Sequence, residues 1–180
     1  VKIADSGSFS KAAKDLYLTQ PTISAHISSL EKELNSRLFV RNTKEVRLSE
    51  SGETLYNYAK QMLVIQERIE EAFSTMDVYL KKRWDLIPNI VETVKGYAKH
   101  EKSTLEEVIN LRNSSYDKMN TNDKFEVNNK LSQGISKLMA IAEAYPDLKA
   151  NENFKDLSSQ LTKVEDDIAN ARKYYNGTVR

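Results

Sequence analysis

The sequence predicts a mainly α-helical protein, in which a small helical region with one β-hairpin is joined by a long continuous helix to an antiparallel four-helix bundle. Three observations favour this fold class. Five glycines and three prolines are few for 180 residues, so long helices can form. Apolar residues recur at helical spacing along most of the chain. Only residues 38–48 combine short β-type runs with a turn between them.

Composition excludes several classes of protein. Without cysteine the chain has neither a disulfide framework nor thiolate chemistry. The purely apolar runs, such as residues 62–65 and 138–142, are far below the ~18 residues of a membrane span, so we expect a cytoplasmic protein with no membrane span. The net charge is only +1, so the composition does not predict a strongly basic surface. The chain begins with Val1 rather than Met, and we expect an upstream segment to be missing.

Residues 10–34 predict two short helices separated by a tight turn. Thr19 is suited to cap the second helix, and Pro21 is tolerated in its first turn. One face of this helix is apolar, and the other carries short, neutral hydrogen-bonding side chains. The apolar stripe is Ile23, Ile27, Leu30 and Leu34, and the polar face includes Gln20, Thr22, Ser24, His26 and Ser28.

Short donors and acceptors of this kind can approach base edges in the major groove of DNA. Taken alone, a solvated polar face explains them better. The next segment changes that balance, because residues 38–41 and 46–48 predict two strands around 42–45, a hairpin with the cations Arg41, Lys44 and Arg47. A basic hairpin beside a helix-turn-helix is a winged helix-turn-helix, in which the wing contacts phosphates.

These residues resemble the DNA-binding domain of LysR-type transcriptional regulators. The resemblance covers about residues 1–62 and rests on GSFSKAAKDL, LTQPTISAHISSLEKEL, LFVR and the SESGETLY opening of a linker helix, with the first half of the family's first helix absent. It implies double-stranded DNA as partner. Ala25 stands where the family often has a long polar residue. The implied groove contacts are Thr19, Gln20, Pro21, Thr22, Ser24 and His26, and the implied phosphate contacts are Arg41, Lys44 and Arg47.

Beyond residue 62 the sequence predicts helices only. We expect four, at about 50–85, 88–119, 123–144 and 151–175, packed as an antiparallel bundle. Pro88 is predicted at the first position of the second helix, and Asn122 and Asn151 are predicted helix caps.

This second part resembles the LemA family from about residue 65 to the end, through DLIPN, ETVKGYAKHE and AYPDLKANENF. The resemblance implies an elongated helical bundle and says little about activity. Relatives of this type generally carry an N-terminal membrane helix, which the DNA-binding segment replaces here. We therefore expect two domains, 1–62 and 63–180, with an unknown protein as partner of the bundle.

An apolar stripe with one heptad phase crosses the junction and predicts an unbroken helix from about residue 49 to 85. The LysR-type resemblance implies that its early part pairs two subunits into a homodimer. The alternative, equally supported by the sequence, is that the whole stripe packs within one chain. The predicted dimer residues are Leu55, Tyr58, Met62 and Ile65.

No catalytic or metal-binding pattern accompanies these features. His26 and His100 fall in different domains, and His100-Glu101 fails the H-E-x-x-H zinc motif because residue 104 is Thr. We predict a non-enzyme without metal or cofactor, a sequence-specific DNA-binding regulator module fused to a LemA-like bundle. The alternative is a non-enzymatic helical scaffold or interaction protein, whose DNA-binding segment is vestigial or part of an engineered fusion.

Overall fold

A computed structural model describes residues 1–41, 46–111 and 115–180. The chain divides into two compact units, Val1–Arg68 and Ile69–Arg180. The elements in chain order are α1 Lys2–Ser6, α2 Phe9–Asp15, α3 Gln20–Glu33, β1 Phe39–Arg41, β2 Val46–Leu48, α4 Glu50–Tyr97, α5 Lys102–Asn110, a 3₁₀ turn Tyr116–Lys118, α6 Thr121–Ala144, α7 Pro146–Ala150 and α8 Glu152–Val179.

Helix boundaries in the first unit follow the predicted signals. Gly7 ends α1 with a φ of 61°, a left-handed conformation that glycine adopts without cost. The Ser8 hydroxyl accepts from the Lys11 backbone N–H and so caps α2. Thr19 caps α3 in the same way, and Pro21 lies in the first turn, as predicted.

The core of the first unit joins its three short helices to the hairpin. Phe9 and Phe39 meet edge to face with ring centroids 5.5 Å apart. Of the apolar stripe of α3, Ile27 and Leu30 pack against this core, whereas Leu34 follows the last residue of the helix and is 47% exposed. The buried core residues are Ile3, Phe9, Ala12, Ala13, Ile23, Leu38 and Phe39.

The start of α4 is fixed against the residue that precedes β1. The Ser49 backbone N–H donates to the Leu38 carbonyl at 3.0 Å, and the Ser49 hydroxyl accepts from the Gly52 N–H at 3.0 Å and so caps α4. A Cβ on Gly52 would lie 2.0 Å from the Leu38 carbonyl oxygen. Glycine at position 52 is therefore required by close backbone approach.

Helix α4 runs unbroken over 48 residues, as predicted for residues 49–85, and then continues through Pro88. The prediction that a new helix begins at Pro88 is wrong. An interior proline removes one helical hydrogen bond and costs ~3 kcal/mol. Burial on both sides offsets that cost, since Ile87 and Ile90 are fully buried while the ring of Pro88 faces solvent.

The predicted helix 88–119 is wrong as a single element. The chain breaks at 98–101, α5 follows, and the 3₁₀ turn lies beyond residues 112–114, which are outside the described residues. Asn120 rather than Asn122 caps α6, by accepting from the Asp123 N–H at 2.9 Å. Asn151 caps α8, as predicted.

The second unit has its own apolar core, drawn from α4 to α8 and the 3₁₀ turn. Trp84 packs against Tyr116, with ring centroids 5.3 Å apart. Among the described residues, no helix is long and apolar enough to cross a membrane. The largest fully buried apolar side chains are Met76, Leu80, Ile87, Ile90, Leu131, Leu138, Leu148 and Leu161.

A buried polar network runs through this core. The Tyr116 hydroxyl donates to Asp77 at 2.6 Å, and Lys124 Nζ lies 2.6 Å from the other oxygen of that carboxylate. Burial, together with the bond to Asp77, raises the pKa of Tyr116. Arg83 is only 2% exposed, whereas its sequence neighbours Lys81 and Lys82 are exposed.

Candidate nucleic-acid interface

The first turn of α3 is held by hydroxyl contacts. Thr19 Oγ1 accepts from the Thr22 backbone N–H at 3.4 Å and lies 2.8 Å from Thr22 Oγ1. Ile23, buried in the core of the first unit, fixes the rotation of the helix about its axis. The rest of this turn, including Gln20 and Pro21, is exposed. The N-terminal turn of α3 is therefore anchored on one side and presented to solvent on the other.

Gln20 and Ser24 act as one unit on the surface of α3. Gln20 Nε2 donates to Ser24 Oγ at 2.8 Å across one helical turn. The bond uses one amide hydrogen and leaves the Gln20 carbonyl oxygen and the second amide hydrogen unengaged by it. The Ser24 hydroxyl keeps its own hydrogen to donate. The pair thus presents two hydrogen-bond donors and one acceptor, whose relative positions are set by the bond between the two side chains.

Thr22 and His26 form a second row on the same helix. Two residues of an α-helix correspond to a rotation of about 200°, so this row lies on the far side of α3 from Gln20 and Ser24. His26 borders an apolar cavity of about 550 Å³ within the first unit. The cavity is lined by Ile3, Leu16, Leu18, Ile27, Ala59 and Leu63, among others. The structure therefore separates the predicted groove residues into two groups.

The hairpin has the predicted antiparallel pairing, with Val40 opposite Arg47 and Arg41 opposite Val46. Arg47 is exposed. The third predicted phosphate contact, Lys44, lies outside the described residues. Glu31 of α3 joins the hairpin to the helix, because its carboxylate accepts from the Leu38 N–H at 2.8 Å and the Phe39 N–H at 3.3 Å.

Two family models match this chain. The model described as the LemA family matches residues 72–180, well over half of the sequence. The chain belongs to the LemA family. The model described as bacterial regulatory helix-turn-helix protein, lysR family, matches residues 1–53. We refer to these parts as the LemA segment (72–180) and the lysR segment (1–53); both predicted resemblances are confirmed.

Curated relatives carry regulator names. An uncharacterized HTH-type transcriptional regulator in the ibpB-leuC intergenic region of Azotobacter vinelandii is 40% identical over 77 residues, which cover 43% of this chain and 54% of that protein. The probable HTH-type transcriptional regulator LtrA of Klebsiella pneumoniae is 37% identical over 92 residues, 51% of this chain and 30% of that protein. The chain thus spans about half or less of these relatives.

One solved structure, titled "Crystal structure of CbnR_DBD-DNA complex", is 27% identical to this chain with a TM-score of 0.37. The match covers 39% of this chain and 80% of the chain in that structure.

The apolar stripe of α4 is open in the part nearest the lysR segment. Leu55 packs against the core of the first unit. Tyr58, Met62 and Ile65 are each at least half exposed, with Met62 at 70%. Met62 and Leu63 border the apolar cavity of the first unit, and the neighbouring Val64 is about half exposed as well.

Sequence reasoning missed Tyr17, which lies in the turn between α2 and α3. Its side chain is 97% exposed and its φ is 55°. The Tyr17 N–H donates to the Lys14 carbonyl and the Leu18 N–H to the Ala13 carbonyl, which closes α2 with the turn that normally ends in glycine. A left-handed conformation costs an L-residue about 1–2 kcal/mol. The available signal was the absence of Gly or Asn after α2.

A surface contact ties α1 to α4 behind the helix-turn-helix. The Tyr56 hydroxyl donates to the Asp5 carboxylate at 2.5 Å, and Lys60 Nζ lies 5.3 Å from the centre of the Tyr56 ring. The hydrogen bond from Tyr56 lowers the pKa of Asp5, with smaller help from the Lys60 charge. This contact joins α1 to the first part of α4 within the first unit.

In the described part of the LemA segment, the polar side chains that come together are those around Tyr116 and Arg83. No three His, Cys, Asp or Glu residues come together as metal ligands there. An open surface groove between α4 and α8 is lined by Asn89, Glu92, Thr93, Asn153, Asp156 and Gln160.

Proposed function

We propose that this protein is a sequence-specific DNA-binding transcriptional regulator. Its lysR segment inserts α3 into the major groove of double-stranded DNA, and its LemA segment is an appended helical module. The observation that carries the proposal is the Gln20–Ser24 pair, a pre-arranged set of donors and acceptor on the exposed first turns of a capped helix.

The residues around the pair support this arrangement. Thr19 and Pro21 lie beside it at the helix start, where helix-turn-helix proteins contact bases and flanking phosphates. Arg41, Lys44 and Arg47 belong to the hairpin that would contact phosphates. Thr22 and His26 face the other side of α3, and we assign them to the opposite wall of the same groove.

We further propose a homodimer through the exposed stripe of α4. Tyr58, Met62 and Ile65 follow the spacing of a coiled-coil seam, and apolar side chains this exposed are typical of an interface. Leu55 continues the seam at the edge of the first unit. Two symmetrically paired chains would bind two half-sites of an interrupted palindrome.

The test is selection of bound duplexes from a random DNA pool by the full chain at near-physiological salt. We expect enrichment of an interrupted palindrome, whose half-site spacing reports how the α4 helices pair. Enrichment of a single half-site would support base contact by α3 and contradict the proposed homodimer. Absence of any enrichment would contradict the proposal and leave a LemA-family scaffold whose lysR segment does not act on DNA.

Matched variants separate base reading from phosphate binding. Gln20→Ala should relax sequence preference at one position, with a loss of about 1–3 kcal/mol on the selected site. Arg47→Gln should weaken binding to every duplex and reduce the salt slope by about one. Ser29→Ala, an exposed serine later on the same helix, is the control and should change neither.

A further inference from the structure

Tyr17 occupies a position that neither packing nor backbone preference explains. Three described residues have positive φ, and two of them are the types that tolerate it, Gly7 and Asn35. Asn35 closes α3 with the same pair of backbone hydrogen bonds that closes α2 at Tyr17. A tyrosine at the third site carries backbone strain, and at 97% exposure its ring gains nothing from burial.

The place of this residue in the fold suggests what compensates the strain. Tyr17 lies in the turn of the helix-turn-helix, two residues before Thr19, the cap of α3. Its neighbours in the last turn of α2, Lys14 and Asp15, have opposite charges, so this turn has no net positive charge. The phenol hydroxyl of Tyr17 adds a neutral donor on a long, rigid side chain to the ammonium group of Lys14.

We propose that Tyr17 is a positioning residue whose phenol hydroxyl donates a hydrogen bond to a DNA phosphate next to the bases that α3 contacts. The inference rests on the proposed DNA-binding function and adds a contact to it. Tyrosine hydroxyls are among the side-chain donors that bind phosphate oxygens, and such contacts fix register and carry no sequence information. The contact is therefore expected on any duplex, selected or not.

The experiment measures binding of the full chain to the selected duplex and to a scrambled duplex, over a range of salt concentrations. Tyr17→Phe keeps the ring and the backbone conformation and removes only the hydroxyl. We expect it to weaken binding to both duplexes by the same factor, roughly twofold to tenfold, with an unchanged salt slope. Tyr174→Phe, an exposed tyrosine of the LemA segment, is the matched control and should bind as the wild type does.

Tyr17→Gly tests strain and contact together. Glycine suits the left-handed position, so this variant should melt at or above the wild-type temperature while losing at least as much affinity as Tyr17→Phe. A Tyr17→Gly variant that is at least as stable as the wild type but binds DNA more weakly would show that Tyr17 serves binding and not folding.

Each other outcome overturns the inference. If Tyr17→Phe binds both duplexes with wild-type affinity, the hydroxyl makes no contact with DNA, whatever the result for Tyr17→Gly. A loss confined to the selected duplex means that Tyr17 contacts bases and not phosphate. If the wild type itself binds no duplex, the proposed function fails and this contact fails with it, a result distinct from variants that bind as well as a wild type that does bind.

Discussion

Arg83 Nη1 lies 2.6 Å from Glu165 Oε1, so residues 82 positions apart in sequence form an ion pair inside the second unit. The same guanidinium donates to the Ser132 hydroxyl and to both oxygens of Asn128, at 2.7–2.8 Å. One side chain of α4 thereby satisfies acceptors on α6 and α8. A buried cation with this many partners is more costly to remove than to keep.

Replacing Arg83 by Met should destabilise the second unit by about 1–3 kcal/mol, because the buried oxygens of Asn128 lose their donor, whereas Glu165 is 38% exposed and can be solvated. Chemical denaturation of the full chain measures this. Trp84 is the single tryptophan and packs on Tyr116 in that unit, so its fluorescence follows the relevant transition.

Lys82→Met is the matched control, because Lys82 is the exposed neighbour on the same helix. We expect its effect to stay within about 0.5 kcal/mol. Equal stability of the two variants would contradict the role assigned to Arg83.

Gly52→Ala should destabilise the first unit. The new methyl would lie 2.0 Å from the Leu38 carbonyl oxygen, and a backbone atom cannot turn aside as a side chain can. Overpacking of this kind costs typically ~1–3 kcal/mol or more. Hydrogen exchange of amides in residues 3–41 measures this loss of stability. Gly96→Ala is the control: a Cβ at that position has nothing within 4 Å, so the variant should be more stable than the wild type by ~1 kcal/mol.

Pro88→Ala should stabilise the second unit by about 1–3 kcal/mol. The alanine restores a helical N–H, and the exposed proline ring gives up little buried area. Part of the gain is offset because the unfolded chain becomes more flexible. Trp84 fluorescence during denaturation again serves as readout. Pro146→Ala should show no such gain, because Pro146 begins α7, where a missing N–H costs nothing.

The Asp5–Tyr56 bond predicts a pH dependence of the first unit. Because the pKa of Asp5 is lowered in the folded state, the bond stabilises above the unfolded value of 3.8 and its contribution is lost as pH falls through the folded value. Tyr56→Phe should melt below the wild type at neutral pH and converge with it as the pH falls below the folded-state pKa of Asp5. A melting difference that persists in acid would assign the effect to packing.

Local signals in the sequence were enough to predict most helix starts. Ser49, Thr19 and Asn151 cap helices because their side chains accept from the backbone within the same turn, so no distant residue is involved. Pro88 shows the opposite case. Its local preference is to begin a helix, and the burial of Ile87 and Ile90 by other helices overrides it.

The candidate site was predictable in its members and less so in their grouping. Helical spacing alone relates Gln20 to Ser24 and Thr22 to His26, and both rows flank the buried Ile23, yet the hydrogen bond between Gln20 and Ser24 depends on side-chain rotamers that spacing does not give. Arg83 and Tyr17 were missed for one reason. Residue type suggests an exposed arginine and a buried tyrosine, and distant contacts or a strained turn reversed both.

The bond between Gln20 and Ser24 exists before any DNA is present. A free glutamine samples many rotamers, and ordering it on binding costs conformational entropy of up to ~2 kcal/mol. Here folding of α3 has already restricted that side chain. If Gln20 contacts a base as we propose, the base meets a side chain that is already arranged, so binding costs less conformational entropy than it would for a free glutamine.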